Sequence, residues 1–252
     1  MCFLMHARML YWSGHLSSNE KRLSSNVHHQ NQLNRIVNKQ FIEFIFIYSL
    51  KIKGRSMEKI QTKATVLIVP GLRDHVAEHW QTLLEQRLVK VRSVPALETD
   101  KLNCIKRVKA IQAQLEEIDG PVILVAHSAG VLMTVHWAVI YQHNIQGALL
   151  VTPPDLSAKW PENYPSSAML KQQGWDPLPN KFLPFPSIVV ASTNDHLASY
   201  QAVRTMAKTW GSQLVSLGEV GHLNPAAGYG YWAQAEQFIQ QLDQVDDSIC
   251  IA

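Results

Sequence analysis

From residue 62 to residue 242, short apolar runs alternate with longer stretches in which apolar positions recur every three or four residues. The short runs are rich in Val, Ile and Leu, leave no room for a helical period, and stop at turn-forming residues. They predict strands at 65–69, 91–94, 121–126, 146–151, 187–192 and 213–217. The periodic stretches predict helices at 76–89, 101–118, 129–142, 199–210 and 229–242. Strand and helix in strict alternation predict an α/β protein: a doubly wound, mostly parallel sheet of about six strands with helices on both faces. Right-handed crossovers make 2-1-3-4-5-6 the natural strand order, with no antiparallel opening hairpin. Helix 101–118 shows its period in Leu102, Ile105, Val108, Ala110 with Ile111, Leu115 and Ile118, which leaves its lysines and Arg107 on a solvated face.

One stretch breaks the alternation. Thr152 to Pro186 holds seven prolines ahead of Pro186, together with Trp160, Tyr164 and Trp175. It is too proline-rich for a long helical lid, and loops of this length in a compact domain are usually functional. It is expected to border a substrate pocket with Trp160 as a wall, although a packing role for these aromatics is equally open.

Charge divides the chain. Residues 1–56 carry eight Lys or Arg and two acids, whereas residues 57–252 have a net charge of −3. The first part is rich in Asn, Gln, Ser and His, and its apolar run Phe41–Leu50 is interrupted by Glu43. That run is shorter than the ~20 residues a membrane span needs, so no stable membrane insertion is expected. Three readings fit residues 1–56: an organelle presequence poor in acids, a peripheral membrane-contacting tail, or an extension outside the natural protein. The third is favoured. Met57 precedes the first strand by the few residues an ordinary N-terminus uses, and Lys53-Gly-Arg-Ser56 is encodable by a purine-rich stretch resembling a bacterial ribosome-binding site. The expected organisation is therefore 1–56 extension, 57–245 globular domain and 246–252 tail.

Several classes of function fall away. Cys2, Cys104 and Cys250 are far apart and have no C-x-x-C spacing, which argues against a disulfide framework and structural zinc and for a reducing, cytoplasmic setting. No phosphate-binding glycine loop follows a strand, so no nucleotide cofactor is expected. The acidic domain lacks the basic stripe of a nucleic-acid binder. His75 and His79, spaced i, i+4, could face a metal together, but the sequence offers no third ligand and none is expected.

The chemistry gathers at Pro121-Val-Ile-Leu-Val-Ala-His-Ser128-Ala-Gly-Val-Leu132. A buried strand runs into a sharp turn carrying a serine and then into a helix, the context of the G-x-S-x-G nucleophile elbow, written here A-H-S-A-G. Its first position must be small, and Ala126 meets that demand less freely than glycine. A serine hydroxyl needs a base, and the base an orienting acid, which in such folds follow the serine as acid and then histidine on later loops. Asp195 follows the fifth predicted strand and His222 the sixth, so both belong at the carboxyl edge of the sheet beside Ser128. The first strand ends in Pro70-Gly71-Leu72-Arg73; the Leu72 and Ala129 amides are candidate oxyanion donors, aided by the start of the helix at Ala129. A Pro-Gly pair that merely ends a strand is the plainer alternative. His79 and Trp80 follow this turn and are candidate substrate-binding residues, with His79 alternatively a cap or buttress of the loop.

Val69-Pro-Gly-Leu-Arg-Asp74, His79-Trp-Gln81, Ala126-His-Ser-Ala-Gly130, Asp195, Gly221-His-Leu-Asn224 and Gly228-Tyr-Gly-Tyr-Trp232 together resemble the small serine hydrolases related to retinoblastoma-binding protein 9, whose bacterial members are called YdeN-like. The resemblance covers about residues 62 to 242. It implies a compact α/β-hydrolase domain with little lid and a Ser-Asp-His triad, here Ser128, Asp195 and His222. The sequence departs from that pattern at Ala126, where hydrolases generally have glycine, and at His196, where a proline is common after the acid. An L-x-C-x-E pocket-protein motif is not matched either: Leu102-Asn-Cys-Ile-Lys106 ends in lysine, so no such partner is inferred and Cys104 reads as a helix core residue.

The expected function is hydrolysis of small esters, thioesters or amides through an acyl-enzyme, with no cofactor, by a monomer or homodimer. The alternative is a non-catalytic protein-binding module on the same scaffold, to which the Asp195-His196 pair lends weight.

Overall fold

The six apolar runs become six parallel strands in a computed structural model that describes residues 59–244. They are β1 (Thr65–Val69), β2 (Val91–Ser93), β3 (Val122–His127), β4 (Ile145–Val151), β5 (Ser187–Ala191) and β6 (Gln213–Ser216), in the order β2-β1-β3-β4-β5-β6. The expectations for residues 1–56 and for the tail lie outside the described residues. In register, Val69 pairs with Ala126, Ala126 with Leu150, and Leu150 with Val189, so the strand ends that carry the candidate site lie side by side. No helix among the described residues is long and apolar enough to cross a membrane.

Strand periodicity of two sorts the apolar side chains into two cores. Leu67, Leu124, Leu150 and Val189 face one side, where α2 (Cys104–Leu115), α3 (Ala129–Ile140) and α5 (Tyr200–Trp210) cover them. Val66, Ile68, Val125, Leu149 and Val190 face the other, under α1 (Trp80–Arg87) and α6 (Ala233–Asp243). Ala235, Phe238, Ile239 and Leu242 make the α6 stripe at helical spacing. Each fully buried Val, Leu or Ile contributes about 1.5–3 kcal/mol, and the sheet is buried on both faces through its four central strands. Asp243 closes the end of the domain: its carboxylate accepts hydrogen bonds from the Lys63 and Ala64 amides, at 2.8 and 2.9 Å, just before β1.

The helices are shorter than their apolar period predicts, for local reasons. α1 starts only at Trp80 because His79 is its cap, and it ends at Arg87 because Leu88 turns extended and pairs with Ile60. α6 starts at Ala233, since Pro225–Ala227 forms a 3-10 turn closed by Gly228 at φ 80°. The stretch 152–186 contains a six-residue helix that the proline count hid: α4 (Ser167–Gln172), capped by the Ser166 hydroxyl, which accepts from the Met169 amide.

Arg107 corrects the reading of α2. It is 4% exposed, not solvated, while Ile105 is 44% exposed. The buried face runs Cys104, Arg107, Val108, Ile111 and Leu115. Arg107 turns inward because Asp74, on the loop after β1, meets its Nη1 at 2.8 Å, and its Nε–H donates to the Lys101 carbonyl.

Candidate active site

The loops after β1, β3, β4, β5 and β6 enclose a cavity of about 310 Å³ at the carboxyl edge of the sheet, with Ser128 on its floor. Ser128 takes φ 57° and ψ −130°, a backbone region that costs a non-glycine residue roughly 1–3 kcal/mol. Close packing enforces the turn. A Cβ on Gly130 would stand 2.3 Å from the Val69 carbonyl oxygen, so only glycine lets α3 approach β1 this closely. The Ser128 amide donates to the Val151 carbonyl at 2.9 Å, anchoring the turn to β4. Ala126 is a regular strand residue paired on both sides and has no positive φ, so the missing first glycine of the motif has no conformational consequence here.

The structure brings the three predicted residues of the site into one hydrogen-bonded line. Ser128 Oγ lies 2.9 Å from His222 Nε2, and His222 Nδ1 lies 2.8 Å from Asp195 Oδ2. The Asp195 carboxylate is 1% exposed and accepts a second bond, from the Leu197 amide at 2.9 Å. An ionised carboxylate can only accept, so Nδ1 carries the ring proton and Nε2 is free to accept from the serine hydroxyl. His196 leaves this contact in place: its Nε2 and Tyr164 Oη are hydrogen-bonded at 3.2 Å, while its Nδ1 lies 4.0 Å from Asp195 Oδ1. The Asp195 and His222 loops are stitched together beneath. The Thr193 amide donates to the Gly218 carbonyl, and the Gly221 amide donates to Asn194 Oδ1 at 2.6 Å.

Leu72 and Ala129 both line the cavity, and Gly71 rests on the serine: a Cβ there would stand 3.2 Å from Ser128 Cβ. Trp160 lines the cavity too, held by its indole N–H donating to the Asp155 carbonyl. His79 lines it as well and is also the α1 cap, its Nδ1 accepting from the Gln81 amide at 3.2 Å. Trp80 is a correction. It is 1% exposed, away from the cavity, with its ring edge-to-face against Trp232 at 5.1 Å. As the first residue of α1 it points with Leu84, one turn later, onto the sheet. His75 and His79 do not converge on a common point: His75 Nε2–H donates to the Val94 carbonyl. No group of three or more His, Cys, Asp or Glu among the described residues is arranged to hold a metal ion.

Two supporting residues escaped the sequence reading, although both stand inside the quoted motifs. Gln81 Nε2 donates to the carbonyls of both Val69 and Val125, at 3.2 and 3.0 Å, joining the strand ends that carry Leu72 and Ser128. His127 Nε2–H donates to the His222 backbone carbonyl at 2.9 Å and fixes the loop beneath the base. Burial, reinforced by the nearby His222, pushes the His127 imidazole well below the ordinary histidine range. Burial likewise brings His79 down to about 4, with His222 and His75 adding to the shift. Both rings therefore stay neutral at physiological pH.

A parallel six-stranded sheet with a serine on a strained strand-to-helix turn and a histidine within reach of it defines the compact α/β-hydrolase fold. The chain matches the model of the Serine hydrolase family over residues 66–241, more than half of its length, and belongs to that family. It is 30% identical to a YdeN-like hydrolase from Pectobacterium atrosepticum, with a TM-score of 0.62 over 75% of this chain and 93% of that one. The ydeN gene product from B. subtilis is 18% identical, with a TM-score of 0.59 over 71% of this chain and 98% of that one. Est1E from Butyrivibrio proteoclasticus shares the fold at 13% identity, with a TM-score of 0.51 over 76% of this chain and 88% of that one. No curated protein matches the chain in sequence.

Proposed function

We propose that this hydrolase cleaves small esters, thioesters or amides through an acyl-enzyme on Ser128. The observation that carries the reading is the unbroken line from Ser128 Oγ through His222 to the buried Asp195, at 2.9 and 2.8 Å, opening onto the cavity. Ser128 Oγ bonds to the acyl carbon while its proton passes to His222 Nε2. Asp195 holds the ring tautomer and stabilises the imidazolium. The amides of Leu72 and Ala129 receive the oxyanion, with the N-terminal end of α3 adding its positive dipole. His222 then returns the proton to the leaving group as its bond to carbon breaks. In the second half, water gives a proton to His222, attacks the acyl carbon and releases the acid, and Ser128 regains its proton.

The inert-scaffold alternative drew on the Asp195-His196 pair, and the undisturbed contact between Asp195 and His222 favours the catalytic reading instead. The test is turnover of 4-nitrophenyl acetate and butyrate by the full chain and by Ser128→Ala. The variant is expected to keep its far- and near-UV circular dichroism and to lose at least about 10³-fold in kcat/KM. Comparable activity in a folded Ser128→Ala protein overturns the proposal.

A further inference from the structure

One arginine lines the cavity above Ser128. Arg73 is the one Lys or Arg in its lining and Asp74 the one Asp or Glu, and burial keeps His79 and His127 neutral. Asp74 is already engaged by the buried Arg107, at 2.8 Å. Asp195 lies under His222 and accepts from it and from the Leu197 amide. Arg73 has no carboxylate partner among the described residues. The wall of the cavity therefore presents one arginine that no carboxylate of the described residues meets in a salt bridge.

That cation is also placed. The Arg73 guanidinium lies over the Tyr164 ring, 5.2 Å from its centroid. Tyr164 is itself held by its bond to His196 and by edge-to-face contact with Trp160. The ring holds the cation over its face, and a guanidinium offers a planar N–H fork that can receive a carboxylate with two parallel hydrogen bonds. In the chain, Arg73 follows Leu72 directly. It lines the same cavity as Ser128.

We infer that the preferred substrates of this site are small acyl compounds bearing a free carboxylate, which pairs with Arg73 while the acyl carbon meets Ser128. A single cation balances a monoanion, and the cavity of about 310 Å³ suits a short dicarboxylic acid monoester or monoamide. The inference rests on the serine-hydrolase reading above.

The test compares 4-nitrophenyl hydrogen adipate with its methyl ester, two substrates that differ in charge at the remote end. The wild-type chain is expected to favour the acid in kcat/KM by about fivefold at low salt, the size of a solvent-screened ion pair. The preference should sit in KM and shrink as ionic strength rises. Arg73→Gln should bring the ratio toward one, and Arg73→Lys should keep part of it. Equal rates on the two esters in wild type, or an unchanged ratio in Arg73→Gln, overturns the inference. Fluorophosphonate labelling of the same samples separates the two levels. A wild-type protein that labels at Ser128 but does not prefer the acid, or hydrolyses neither ester, refutes the carboxylate preference alone. A protein that neither labels nor hydrolyses refutes the hydrolase mechanism and this inference with it.

Discussion

Replacing Arg107 by Met removes the cation that holds the loop after β1. Arg107 Nη1 meets Asp74 Oδ1 at 2.8 Å, with side-chain exposures of 4% and 13%. Asp74 sits at φ 55°, and its amide donates to the Gly71 carbonyl, closing the turn that presents Leu72. Removing one partner of a buried ion pair costs about 3–5 kcal/mol, because the other charge stays desolvated. Asp74 retains some access to water, which points to the lower end, about 3 kcal/mol, and Met fills most of the vacated volume. For a domain of this size that is a drop in Tm of roughly 6–12 °C. The assay is urea unfolding of wild type, Arg107→Met, Asp74→Asn and the double variant. The double variant is expected to be more stable than the sum of the single losses by about 2 kcal/mol, because it no longer buries a lone charge. A loss below about 1 kcal/mol in Arg107→Met, or strict additivity in the cycle, refutes the claim that this pair anchors the loop after β1.

Two further outcomes follow from the supports under the site. Gln81→Leu removes two donors from the carbonyls of Val69 and Val125; it should cost about 2 kcal/mol in urea unfolding and lower kcat more than it raises KM, and unchanged kinetics counts against a positioning role. His79 takes up a proton in the native state only near pH 4, against 6.5 when unexposed to these effects, so the unfolded chain binds more protons between those values. Its contribution to stability is therefore complete above about pH 6.5 and is lost as pH falls toward 4, on the order of 3 kcal/mol in all. His79→Asn keeps a capping side chain and should flatten the decline in urea midpoint between pH 7 and pH 4.5; an unchanged slope contradicts the assignment.

The sheet was legible chiefly through its four central strands, whose apolar runs are buried on both faces, whereas the edge strands β2 and β6 carry polar residues and stand partly exposed. The order of Ser128, Asp195 and His222 was legible for a related reason: each lies on the loop after a parallel strand, so the topology brings all three to one edge. What escaped depends on partners distant in sequence. Arg107 looks like a solvent-facing residue until Asp74, thirty-three positions earlier, is folded against it. Trp80 reads as a substrate residue from its place near the turn after β1, yet a one-residue step from the cap into the helix swings it into the core under α1 and α6. Gln81 and His127 act through backbone carbonyls, and such contacts have no pattern in the sequence. The Ala126 departure looks serious in a motif but meets no positive φ in space, and the His196 departure leaves the 2.8 Å contact between Asp195 and His222 in place.

The most direct measurement is labelling of the full chain with a fluorophosphonate probe, with the modified peptide identified by mass spectrometry, in wild type, Ser128→Ala and His222→Ala. Wild type is expected to give a single adduct on Ser128, Ser128→Ala none at that position, and His222→Ala labelling slowed by at least about 10²-fold. A folded wild-type protein that takes no label, or takes it on another residue, contradicts the role assigned to Ser128.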